Sequence, residues 1–97
     1  MNETQPASAP PPVPKLVVTL ERQSEARAKW SAGPGEAVWL WVLQYRAGGN
    51  WRTEILPRNQ TSRLLKGVEA VGLTAVDRCG NTSSTVVLER RPGTPGR

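Results

Sequence analysis

Ninety-seven residues with a net charge of +5, four Trp, no Phe, no His and a single Cys bound what this chain can be. The length allows one domain, and without His or a second Cys there is no Ser-His-Asp or Cys-His centre, no zinc or haem site of the usual kinds and no internal disulfide. The cations are interspersed with acids, as in Glu21-Arg22 and Glu25-Ala26-Arg27, and form no stripe. Weak polyanion affinity is therefore expected, but no specific nucleic-acid partner and no cofactor.

Residues 1–14 hold five prolines and read as a linker in polyproline II, a semi-rigid spacer of about 3.1 Å per residue. They show no basic start followed by an apolar stretch, so no signal peptide is expected. Nowhere do about 18 apolar residues run together, as a membrane span requires. Residues 16–22 are the first expected strand. In the second, 26–30, Ala26, Ala28 and Trp30 share one face and Arg27 and Lys29 the other, because side chains alternate along a strand. Gly33-Pro34-Gly35 signals a turn. The third strand, 37–46, is the longest: Trp39, Trp41, Leu43 and Tyr45 fall on one face, Val38, Leu40, Val42 and Gln44 on the other. Gly48-Gly49-Asn50 closes a hairpin into 51–56, which Pro57 ends by removing a donor. A short strand at 62–65 precedes Gly67. In 71–77 the apolar Val71, Leu73 and Ala75 alternate until Asp77 and Gly80-Asn81 stop the strand, and Val86-Val87-Leu88 follows. Seven short strands with polar turns predict an all-β, immunoglobulin-like antiparallel sandwich over 15–91, with 92–97 as a disordered tail.

Trp30 near the end of its strand, the run Trp41-Val42-Leu43-Gln44-Tyr45-Arg46, and the alternation ending at Asp77 with Gly80 resemble the fibronectin type III superfamily over 14–89. That resemblance implies that Trp41, Leu43 and Tyr45 point into the core. Two departures stand out: Glu69 occupies the place of the family's corner Tyr, and the linkage at 66–69 is shortened. Two phrases, Tyr45-Arg46-Ala47-Gly48-Gly49-Asn50-Trp51 and Ala75-Val76-Asp77-Arg78-Cys79-Gly80-Asn81-Thr82-Ser83, resemble the C-terminal module appended to bacterial glycosyl-hydrolase-like, family-10-related proteins. This implies an extracellular or periplasmic parent protein with a separate catalytic barrel. No catalytic residue carries over to this chain.

Two surfaces are candidate sites. Val38, Leu40 and Val42, extended by Val76, give the third strand an aliphatic outer face where polar residues are usual. That face reads as a docking surface for the catalytic or another domain of the parent; alternatively, loops or the N-terminal segment cover it, or truncation leaves it aggregation-prone. Trp51, with Arg52 beside it, and Trp39 are the candidate carbohydrate contacts, since sugar rings stack on exposed aromatics. The alternative is that both pack in or over the core, as Trp30 and Trp41 do. Asp77 and Arg78 are expected to form an ion pair holding their loop, the alternative being contact with a ligand, and Cys79 to be an ordinary turn thiol rather than one activated by the adjacent Arg78. The chain is thus expected to be a non-catalytic structural or interaction module, or alternatively a small carbohydrate-binding module.

Overall fold

The computed structural model describes residues 10–21, 25–33 and 38–89. Seven strands form: β1 (Lys15–Leu20), β2 (Glu25–Ser31), β3 (Leu40–Ala47), β4 (Asn50–Pro57), β5 (Ser62–Lys66), β6 (Val68–Val76) and β7 (Val86–Glu89). They make two antiparallel sheets, ordered β1-β2-β5 and β4-β3-β6-β7, so the all-β, seven-stranded sandwich expected from the strand pattern is the observed fold. The expected ends at Arg22 and Ala37, and the tail from 92 onward, lie outside the described residues.

Alternation decides which residues build the core. Ala26, Ala28 and Trp30 of β2 face Trp41 and Leu43 of β3 and Val71, Leu73 and Ala75 of β6, all buried in one cluster. Trp30 and Trp41 meet across the sheets edge to face, ring centroids 6.2 Å apart and planes at 67°. Such a geometry lets the positive edge of one indole meet the negative face of the other. The two indole N–H groups have different fates. Trp41 Nε1 donates to the carbonyl of Arg58 at 3.1 Å and so fastens the turn after β4 to the core. Trp30 Nε1 is buried with no partner.

Two connections depend on glycine. Gly48 and Gly49 both have positive φ, 60° and 81°, between the paired Ala47 and Asn50. A two-residue turn of that kind matches the right-handed twist of the hairpin. Gly67, at φ 62°, alone separates β5 in one sheet from β6 in the other. This single residue is the shortened linkage seen in the sequence. The ladder slips beside it, where Arg46 pairs with Ala70 and Ala47 with Val68, leaving Glu69 as the extra residue of a bulge. In the place of a corner tyrosine, Glu69 Oε1 accepts from Arg46 Nε at 3.0 Å.

The expected face of β3 needs one correction. Val38 is not on the outer face: it is 8% exposed and belongs to the core, whereas Trp39 is 49% exposed. Trp39 donates its amide to Val76 O at 2.7 Å while Leu40 is itself paired with Val76. Two residues thus oppose one, the arrangement of a bulge, and strict alternation fails between 39 and 40. From Leu40 onward the expected sidedness holds.

Replacing Trp41 with Ala should cost about 3–5 kcal/mol, a large part of the margin of a domain this small. A finer comparison is available in urea unfolding of Trp30→Phe and Trp41→Phe. Trp41→Phe strands the Arg58 carbonyl, while Trp30→Phe removes a donor that had no partner, so Trp41→Phe should be the more destabilising. Equal losses, or a larger loss at Trp30, would contradict this packing.

Candidate functional site

The outer face of the four-stranded sheet carries the apolar surface. Opposite residues on paired strands share a face, so Leu40 stands beside Pro57 and Val76, and Val42 beside Ile55 and Thr74. Leu40, Val42 and Val76 are half-buried and Ile55 is 67% exposed. Leu40, Val42 and Val76 of the expected docking face are therefore brought together, and Val38 is not. Ile55, which sequence reasoning passed over, joins them. Its signal was available, since hairpin register through Gly48-Gly49 places it opposite Val42. The described end of the N-terminal segment lies elsewhere: a Cβ on Gly33, just past β2, would meet Pro12 Cβ at 2.5 Å.

At one end of this face Trp39, Leu40, Ile55, Arg58, Asn59 and Arg78 line an open hollow of about 650 Å³. Its rims are two firmly held loops. The turn after β4 is tied by the Trp41 indole to Arg58 O and by Gln60 N to Pro57 O at 3.0 Å. The other loop is organised by Asp77. Its Oδ1 accepts from the amides of Cys79 and Asn81, both at 2.9 Å, and Oδ2 accepts from Asn81 Nδ2 at 3.2 Å. Desolvation works to raise this carboxyl, but the donors of Asn81, Cys79 and Gly80 together hold it below its ordinary value. The expected Asp77–Arg78 ion pair is not formed; backbone amides take its place, as a short acidic side chain in a turn favours. Cys79 is exposed in this loop.

The three candidate carbohydrate contacts do not form one site. Trp51 is 51% exposed, but it and Pro57 sit at opposite ends of β4, roughly 20 Å apart at the usual strand rise. Trp39 lies at the Pro57 end. The Arg46 guanidinium carbon is 5.6 Å from the Trp51 ring centroid, covering part of the indole. Arg52 follows Trp51 in the same strand and points to the opposite side.

Where β4 and β5 form the margin between the sheets, a polar brace joins them. Arg63 of β5 gives Glu54 of β4 two bonds, Nε to Oε1 at 2.9 Å and Nη2 to Oε2 at 2.8 Å, and the Tyr45 hydroxyl donates to Oε2 at 2.9 Å. The Arg63 hydrogen bonds hold the Glu54 carboxyl below its ordinary value, against partial desolvation. Bonding to that carboxylate pushes the Tyr45 hydroxyl up, and desolvation adds to the effect. Glu54 is thus fully engaged in holding sheet to sheet. Among the described residues, no group of three or more His, Cys, Asp or Glu is placed to hold a metal ion. No helix there is long and apolar enough to cross a membrane.

An all-β sandwich with three- and four-stranded sheets in this order has the fibronectin type III fold. A crystal structure of a fibronectin type III domain of human collagen XX superposes with a TM-score of 0.63 at 21% identity, covering 91% of this chain and 100% of that one. The solution structure of the fn3 domain of the human collagen alpha-1(XX) chain gives 0.67 at 18% identity, covering 98% of each chain. The sixth such domain of human fibronectin type III domain containing protein 3 gives 0.66 at 17%, covering 96% of each. No protein-family model matches the chain, and no curated protein matches it.

The brace makes stability depend on pH at both ends. A lowered Glu54 contributes stability that is present above its unfolded value of 4.5 and is lost as pH falls through the lower folded one. A raised Tyr45 contributes stability that is full below 10.0 and is lost as pH rises through the higher folded value. Glu54→Gln should cost about 1–2 kcal/mol at neutral pH, and its deficit should shrink towards zero in acid. Urea unfolding of both proteins from neutral to acidic pH checks this; a constant deficit would show that Glu54 does not titrate through this contact.

Proposed function

We propose that the chain is a non-catalytic structural and interaction module, a spacer and docking surface within a larger secreted bacterial carbohydrate-active protein. The carrying observation is the apolar outer face of Leu40, Val42, Ile55 and Val76 on a sheet whose other face already fills the core. Monomers seldom expose such a contiguous patch without a partner. The folds it resembles include a domain within the long chain of collagen XX, which favours a modular role. The Ala75–Ser83 phrase, like that of modules appended to glycosyl-hydrolase-like proteins, favours a partner in the catalytic or another domain of the parent and an extracellular or periplasmic setting. Four of the described carboxylates are already engaged within the fold: Glu54, Glu69 and Glu21 are each paired with an arginine, and Asp77 accepts from its own loop.

A carbohydrate contact through Trp51 is the second reading, favoured by its half-exposed ring. Arg46 over that ring leaves less of it to a sugar.

Val42→Lys separates the two. Its long side chain can extend into solvent from the outer face, so stability should change by at most about 1 kcal/mol. Association with the catalytic domain of the parent, followed by calorimetry, should weaken at least about tenfold as a charge enters an apolar contact. Trp51→Ala should leave it unchanged. Undiminished association in Val42→Lys, or loss of polysaccharide retention in Trp51→Ala, would overturn the docking reading.

A further inference from the structure

The hollow between the turn after β4 and the Asp77 loop shares Leu40 and Ile55 with the aliphatic face and adds an indole and polar groups to it. A half-exposed indole, Trp39, forms part of its wall, and the exposed Arg58, Asn59 and Arg78 bring the polar groups. Three arginines are held in ion pairs, Arg27 with Glu21, Arg46 with Glu69 and Arg63 with Glu54, and none of them lines the hollow. Arg58 and Arg78 form no ion pair among the described residues. The acid nearest in sequence to Arg78, Asp77, is already taken by the amides of its own loop. Two unpaired guanidiniums on rigid turns, flanking an aromatic surface, are ready for an external anion that also has a flat apolar side.

We propose that this hollow binds a uronate unit of a carboxylated polysaccharide. The ring stacks its C–H face on Trp39, its carboxylate is shared by the forked donors of Arg58 and Arg78, and Asn59 meets the hydroxyls. A neutral sugar would leave the guanidiniums without a counter-charge. A nucleic acid strand needs a cationic track along several phosphates, and among the described residues only Arg58 and Arg78 are cations lining the hollow. This inference goes beyond docking: the hollow shares Leu40 and Ile55 with the docking face, but Val42, whose substitution tests docking, does not line it.

The test uses the full chain at about 0.15 M salt, where long-range attraction is largely screened. Short oligomers of galacturonate and of mannuronate are titrated by calorimetry beside a neutral galactose oligomer and an oligo-dT strand. Binding of either uronate oligomer is expected, with no heat from the neutral sugar. Trp39→Ala and Arg78→Ala should each weaken it at least about tenfold, while Arg52→Ala and Trp51→Ala leave it unchanged. Arg78→Ala, at an exposed loop position, keeps the test valid should Trp39→Ala lower stability. No binding of either uronate overturns the proposal, as do equal binding of the neutral oligomer, tighter binding of oligo-dT, or a loss in Arg52→Ala matching that in Arg78→Ala. Loss of partner association in Val42→Lys alongside intact uronate binding would show the two surfaces acting separately.

Discussion

Edge to face across the two sheets, Trp30 and Trp41 supply a large aromatic contact in a chain that has no phenylalanine. A domain this size buries only roughly two-thirds of its unfolded surface, so two indoles at its centre carry a disproportionate share of the apolar burial. Their position also fixes sidedness. Once Trp41 points inward, Leu43 follows inward, and Leu40 and Val42 must point outward, because successive strand residues alternate. The core and the candidate contact face are therefore two consequences of one strand's register. A slip of one residue would exchange them.

The margins of the sandwich are held by polar devices rather than by more core. Glu54, Arg63 and Tyr45 join the sheets where β4 and β5 adjoin. Asp77 folds its loop through backbone amides, and Ser83 closes the same connection by accepting from Ala75 N and donating to Ser84 O, both at 2.9 Å. Each device uses up charge or hydrogen-bonding capacity locally. Arg58 and Arg78, in no ion pair among the described residues, lie together at the end where Trp39 is exposed.

The all-β sandwich was legible because alternation and glycine-marked turns are local signals. Val71, Leu73 and Ala75 declare an inward face, and Gly48-Gly49 declares a hairpin, without knowledge of any distant contact. Leu40, Val42 and Val76 were legible for the same reason. Val38 was not: alternation counted back through residues 38–40 assumes an unbroken strand, and the two-against-one pairing of Trp39 and Leu40 with Val76 is a tertiary fact. The Asp77–Arg78 ion pair was read from adjacency, but an aspartate with several loop amides in reach satisfies itself there first. Nor could residue order reveal that Trp39 and Trp51 lie at opposite ends of the sheet, or that Arg46 covers Trp51. Those depend on register across three strands.

The four indole N–H groups report the central claim, that β3 separates the core from the contact face, in one measurement. Hydrogen exchange followed by nuclear magnetic resonance resolves each indole separately. Trp41, bonded to Arg58 O, and Trp30, buried against it, should exchange only through large-scale opening. Trp39 and Trp51, each half-exposed, should exchange orders of magnitude faster. Slow exchange at Trp39 with fast exchange at Trp41 would place the wrong face of β3 inside, and the account built on that register would fail.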